Sequence, residues 1–111
     1  MDFEEARKAA LEFRDEREWA QFHNPKDLAV SISIEASELL ECFQWSGSDT
    51  SADGREQRLR EELADVLIYG IYMADAIGAD IPQIIDEKLR LNAAKYPVGR
   101  ARGKSAKYTE L

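Results

Sequence analysis

Glu35 and Glu38 stand three residues apart, and so do Glu62 and Asp65. On a helix that spacing puts both members of a pair on neighbouring turns of one face, so both can offer oxygens to a single site. Ile32, Glu35, Leu39 and Phe43 follow at steps of three, four and four, which places Glu35 on an apolar stripe with Glu38 at its edge. Glu62 and Asp65 border a second stripe, Leu59, Leu63, Val66, Gly70 and Met73. A buried carboxylate without a partner is costly, and like charges brought together cost more. A divalent cation offsets both. Mg²⁺ takes hard oxygen ligands, keeps waters or phosphate oxygens in its shell, and is replaceable by Mn²⁺. Acids three apart are most often a solvated helix face. Two pairs, each beside an apolar seam on a long helix, favour a metal site built from Glu35, Glu38, Glu62 and Asp65. Glu41 and Glu61 read as surface charges.

Other candidates lie at helix ends. Trp19 closes the first expected helix and Trp45 the second, and "REWAQFHNP" groups Trp19, Phe22 and His23 at a corner. Such rings are usually packing, yet a nucleobase can stack between them. A lone His23 is more often a corner hydrogen-bonding group than a catalyst. "EKLRLNAAKYP" puts Lys88 one turn before Asn92, with Lys95 nearby. A cation and an amide so placed can hold phosphate oxygens, although the helix macrodipole alone also favours Lys there.

The elements that must position these residues read as helices. Asp2 and Glu5 have the spacing of a capping box, opening a helix from Phe3 to about Glu18. Asn24 and Pro25 open a second, to about Gln44. "SGSDTSADG" (46–54) is a polar loop. A third helix runs from about Arg55 to Ala76, stopped by Gly78. Asp80 and Pro82 start a fourth, which ends before Pro97. No segment alternates like a strand, so the expected fold is all-α, a four-helix-bundle-like arrangement. The third helix is apolar almost all round from Leu63 to Ile77, and three partner helices in so short a chain cover it incompletely. A second copy of the chain is expected to complete the bundle.

At 111 residues, one domain is expected, with a core in about 3–97 and a basic tail in 98–111. The tail carries Arg100, Arg102, Lys104 and Lys107 against Glu110. Apolar residues are 44% and charged residues 33%, a globular balance. A net charge of −7 argues against nucleic acid as a partner. No apolar run is long enough for a membrane span. The acidic N-terminus does not read as a signal peptide. Cys42 is the sole cysteine, so no disulfide forms within the chain, and a cytoplasmic location is expected. P-loop, dinucleotide-binding, zinc and Ser/Cys-triad patterns are absent.

Three stretches together, "EREWAQFHNPKDLAVSISIEASELLECFQW", "EELADVLIYGIYMAD" and "KLRLNAAKYPV", resemble the MazG-like all-α nucleoside triphosphate pyrophosphohydrolases of the dCTP pyrophosphatase type. They cover about residues 13 to 98. The resemblance implies a helical bundle assembled as a homodimer or homotetramer. It implies Mg²⁺-dependent cleavage between the α and β phosphates of a nucleotide, releasing monophosphate and pyrophosphate, as a housekeeping step against unwanted nucleotides. Carried over by position, Glu35, Glu38, Glu62 and Asp65 look like metal ligands, with Glu35 or Glu38 as the base. Trp19, Trp45, Tyr69 and His23 look like base or sugar contacts. Lys88, Asn92 and Lys95 match the region that meets phosphates or sugar. Two glycines usual around the first acid are Ile34 and Ala36-Ser37 here, departures expected to affect helix packing rather than chemistry. Related dimeric dUTPases and phosphoribosyl-ATP pyrophosphohydrolases use similar acidic helices. A reading outside enzymes is a helical interaction module whose acids are merely solvated.

Overall fold

The computed structural model describes all of residues 1–111. The chain is all-α, as expected: helices α1 (Phe3–Glu16), α2 (Pro25–Glu41), α3 (Glu56–Ala76), α4 (Ile81–Lys95) and α5 (Val98–Ala101), with 3₁₀ turns at Trp19–Phe22 and Tyr108–Glu110 and no strand. No helix is long and apolar enough to cross a membrane.

Residues 1–78 form one compact unit. Its helix starts follow the expected chemistry. Asp2 accepts from the Glu5 amide at 2.8 Å while Glu5 accepts from the Asp2 amide at 3.1 Å. Asn24 Oδ1 accepts from the Asp27 amide at 2.9 Å, with Pro25 in the first helical position. The helix ends are earlier than expected. α1 stops at Glu16, because Arg17 and Glu18 bond back to Arg14 and Asp15 and Glu18 turns left-handed at φ 53°. Trp19 therefore opens a 3₁₀ turn rather than closing a helix. α2 stops at Glu41, where Cys42, Phe43 and Gln44 bond three residues back and tighten the chain. Trp45 lies beyond that end, left-handed at φ 69°.

The helices α2 and α3 pack along each other. Glu41 pairs with Arg58 at 3.8 Å at one end, while Glu35 and Glu38 meet Glu62 and Asp65 farther along, so the two run antiparallel. The connection is held by Arg55, which donates to the Ser51 carbonyl at 2.6 Å and to Asp49 at 3.3 Å and lies 5.1 Å from the Phe43 ring. α1 packs on the C-terminal half of α3: Tyr72 donates its hydroxyl to the Ala10 carbonyl at 2.9 Å, and Arg14 donates to Asp75 at 2.7 Å. Leu28, Cys42, Ile71, Tyr72 and Ala74 form the buried core. The stripe of α2 is confirmed, with Ile32, Glu35, Leu39 and Phe43 all half-buried. On α3 the stripe is rotated: Leu59, Val66, Gly70 and Met73 are half-buried, but Leu63 is exposed. Leu67 and Ile77 are exposed as well, so the all-round apolar character of α3 is not consumed within the chain.

Residues 79–111 form a second unit. Asp80 caps α4 by accepting from the Gln83 amide at 3.1 Å. The tail folds back on the end of α4. Tyr108 meets Tyr96 edge to face at 5.9 Å, and the Lys95 ammonium lies 4.9 Å from the same tyrosine ring.

Leu28, 1% exposed, is the most deeply buried large side chain. Leu28→Ala is expected to cost roughly 2–5 kcal/mol, read as a lowered urea midpoint at unchanged slope.

Candidate active site

The four acids that spacing singled out meet in space. Glu35, Glu38, Glu62 and Asp65 each present a carboxylate oxygen within 4.8 Å of the others. The first three are half-buried and Asp65 is exposed, so the cluster has a dry side and a side open to solvent. Glu35 Oε2 and Glu62 Oε2 are buried without a hydrogen-bond partner. Burial, then the proximity of Glu38, then the charges of Asp65 and Glu62, push the Glu35 carboxyl up to about 7. Burial, with the charges of Glu38 and Asp65, also raises Glu62, against a smaller opposing pull from Arg58.

A divalent cation fits this donor set. The ligands are all hard carboxylate oxygens, they converge within one coordination shell, and two lack any other partner. The two acids read as surface charges behave so: Glu41 is exposed and paired with Arg58, and Glu61 is exposed and accepts from Gln57 at 3.1 Å. The residues standing at the two glycine positions, Ile34, Ala36 and Ser37, lie on the exposed face of α2.

The aromatic candidates lie in the same unit. His23 is half-buried, its ring 5.1 Å from Tyr72 at an interplanar angle of 31° and 6.4 Å from Tyr69. Its Nδ1 is buried with no hydrogen-bond partner. Trp19 meets Phe13 edge to face at 5.7 Å, with the Arg17 guanidinium 3.6 Å from Phe13. Trp45 is 92% exposed on a left-handed backbone, a combination that packing alone does not explain. In the second unit, Lys88 and Lys95 are exposed on α4 and Asn92 is half-buried, its carbonyl accepting from the Tyr96 amide at 2.7 Å. Sequence reasoning passed over Arg14 and Tyr72. Tyr72 could have been found as the residue three after Tyr69 on the same helix. Arg14 carried no signal, since its partner Asp75 is 61 positions away.

A folded-state carboxyl raised from about 4.5 to about 7 weakens the metal-free protein as pH rises. The folded chain then binds more protons than the unfolded one between those values, so stability is full below the lower value and declines through the window. Glu62 acts in the same direction. Thermal melts in chelator are expected to show that decline. Millimolar Mg²⁺ is expected to restore the loss above about pH 7.5 while changing little below about pH 4.5.

The MazG-like family profile matches residues 30–111. The chain is 40% identical to dCTP pyrophosphatase 1 of Mus musculus over 114 residues and to that of Homo sapiens over 113. Each comparison takes in 97% of this chain and 66% of the relative, so the chain spans about two thirds of their length. Among solved structures, a pyrophosphatase from Archaeoglobus fulgidus is similar at a TM-score of 0.77 and 42% identity, over 85% of this chain and 91% of that one. Both acid pairs and the whole of α3 and α4 fall inside the matched region, and the chain belongs to the MazG-like family.

Proposed function

We propose that the chain is a Mg²⁺-dependent nucleoside triphosphate pyrophosphohydrolase acting on dCTP or a closely related pyrimidine deoxynucleotide. The reaction cleaves the α–β phosphate bond and yields monophosphate and pyrophosphate. The observation that carries this reading is the set of four carboxylates within 4.8 Å, two of them with orphaned buried oxygens, in a chain of this family. The substrate class follows its relatives, which are dCTP pyrophosphatases.

Glu35, Glu38, Glu62 and Asp65 hold the cation, which supplies neutralisation of the triphosphate charge. Glu35 or Glu38, whichever keeps a free oxygen, accepts the proton of the water that attacks phosphorus in line with the leaving pyrophosphate. The dry side of the cluster restricts competing water, and the exposed side at Asp65 is where phosphates enter. Trp19, Trp45, Tyr69 and His23 contact the base or sugar. Lys88, Asn92 and Lys95 contact phosphates or sugar, and the basic tail from Arg100 to Lys107 adds positive charge for them.

The 111 residues work as one domain, in a cytoplasmic setting consistent with the unpaired Cys42. The active form is a homodimer or homotetramer. Support comes from Val30 and Ile34 on α2 and Leu63 and Leu67 on α3, pairs four residues apart that are all exposed within one chain.

Incubation with dCTP and Mg²⁺ is expected to release pyrophosphate, and a panel of canonical, methylated and halogenated pyrimidine nucleotides ranks the substrates. Glu38→Gln is expected to abolish turnover with unchanged helical circular dichroism; full turnover in that variant contradicts the metal assignment. Trp45 makes so little contact with its own chain that Trp45→Ala is expected to leave Tm unchanged. Its KM rises roughly 5- to 150-fold if the ring stacks a base, the equivalent of about 1–3 kcal/mol.

A further inference from the structure

The corner between α1 and the first 3₁₀ turn is braced from several sides, and each brace bears on Trp19. Glu18 is left-handed at φ 53°, a conformation that residues with side chains seldom adopt, and it turns the chain so that Trp19 leaves the line of α1. The Gln21 side-chain amide donates to the Glu18 carbonyl at 2.9 Å and so holds the peptide that precedes Trp19. Arg17 donates Nη1 to the Phe13 carbonyl at 2.9 Å, in the last turn of α1, where carbonyls run short of amide partners. The same guanidinium lies over the Phe13 ring, 3.6 Å from its centre, and 5.9 Å from the Trp19 ring. Its remaining contact is an exposed ion pair with Glu16 at 3.7 Å. Trp19 meets Phe13 edge to face, with ring centres 5.7 Å apart and planes at 72°. These three separations put the indole beside the phenyl ring, away from the face that Arg17 takes. Trp19 stays 42% exposed and outside the buried core.

We infer that Arg17 and Phe13 are positioning residues for Trp19. Arg17 occupies the Phe13 face on which the indole would otherwise lie flat, and Phe13 supports the indole by its edge. The indole thereby keeps a face open for the base of the nucleotide. The inference rests on the proposed contact between Trp19 and the base. Two aromatic side chains this close can pair either stacked or edge to face, and stacking would turn one face of the indole away from any ligand. A guanidinium is attracted to the same ring face, so it competes with the indole for that place. Both Phe13 and Arg17 are themselves partly exposed, so the arrangement is a surface device and closes no part of the core.

The chemical consequence concerns how firmly a nucleoside is held. Every base has a π-face, so an open indole grips bases with little regard to their edges. Arg17 and Phe13 therefore govern binding and leave the chemistry at the acid cluster alone. Loss of such an interaction raises KM at constant kcat. The sign of the stability change separates this role from that of a simple tie. If Arg17 merely held the corner together, its removal would lower Tm. If it keeps the indole off the Phe13 face, its removal lets the two rings close on each other and bury apolar surface, and Tm holds or rises.

The chain has two tryptophans, so Trp45→Phe leaves the fluorescence of Trp19 alone to report on the corner. In that background dCTP is expected to quench the emission. Adding Arg17→Met is expected to move the emission to shorter wavelength and to weaken quenching by dissolved acrylamide, with Tm held or raised. In the otherwise unaltered chain, Arg17→Met is expected to raise KM for dCTP about 5-fold or more at nearly constant kcat, the lower end of what one lost stacked base costs. Arg17→Lys, which keeps a cation over Phe13, falls between the two. In a Trp19→Ala chain, Arg17→Met is expected to change KM no further, because both substitutions remove the same contact. Turnover of dCTP with an unmoved emission and KM in Arg17→Met overturns the inference while leaving the proposed reaction intact. So does a fall of kcat and Tm together, or an equal effect of Arg17→Met in the Trp19→Ala chain. Turnover without any quenching of Trp19 by dCTP overturns the base contact, and the inference with it.

Discussion

Mutual repulsion among four carboxylates is the constraint around which the first 78 residues are arranged. Antiparallel packing of α2 on α3 forces Glu35, Glu38, Glu62 and Asp65 into one small volume, and the same packing buries Leu28, Ile71 and Ala74. The core cannot be formed without assembling the acids. Metal-free, the chain meets the strain by raising Glu35 and Glu62 toward protonation. A bound cation removes the repulsion and satisfies the orphaned oxygens at once. Hydrophobic burial therefore does the work of concentrating negative charge, and the charge in turn creates a donor set that a divalent cation fits.

The rest of the unit serves to keep those two helices in register. At one end Glu41–Arg58 and the Arg55-centred loop fix where the chain reverses. At the other, α1 is tied to α3 by Tyr72 and Arg14, and the 3₁₀ turn from α1 presents His23 to the tyrosines of α3. Acid cluster and aromatic group thus share α3: Glu62 and Asp65 belong to one, Tyr69 and Tyr72 to the other. A single helix spaces the acid cluster from the aromatic group by about one to two turns.

Much of this was legible in the residues. The acid pairs declared themselves by repeated spacing beside apolar seams, because helical periodicity maps sequence onto faces with little help from context. Asp2, Asn24 and Asp80 act as caps where local hydrogen bonding says they should. The helix ends were less legible. α1 and α2 each end short of the expected residue, because neither the left-handed turn at Glu18, which is not glycine, nor the tightening to three-residue hydrogen bonds over Cys42–Gln44 carries a local signature. The stripe of α3 was misjudged at Leu63, since a helix apolar on most sides has no periodic clue to which side faces inward. Arg14 was illegible altogether: its burial depends on a partner 61 residues away.

The central claim is that the carboxylates converge to hold a divalent cation. Its most direct test is a crystal structure grown with millimolar Mn²⁺, with anomalous difference density calculated at the manganese edge. The account predicts a peak among Glu35, Glu38, Glu62 and Asp65, with carboxylate oxygens at roughly 2.1 Å from it. Carboxylates splayed into solvent with no anomalous peak between them would contradict it.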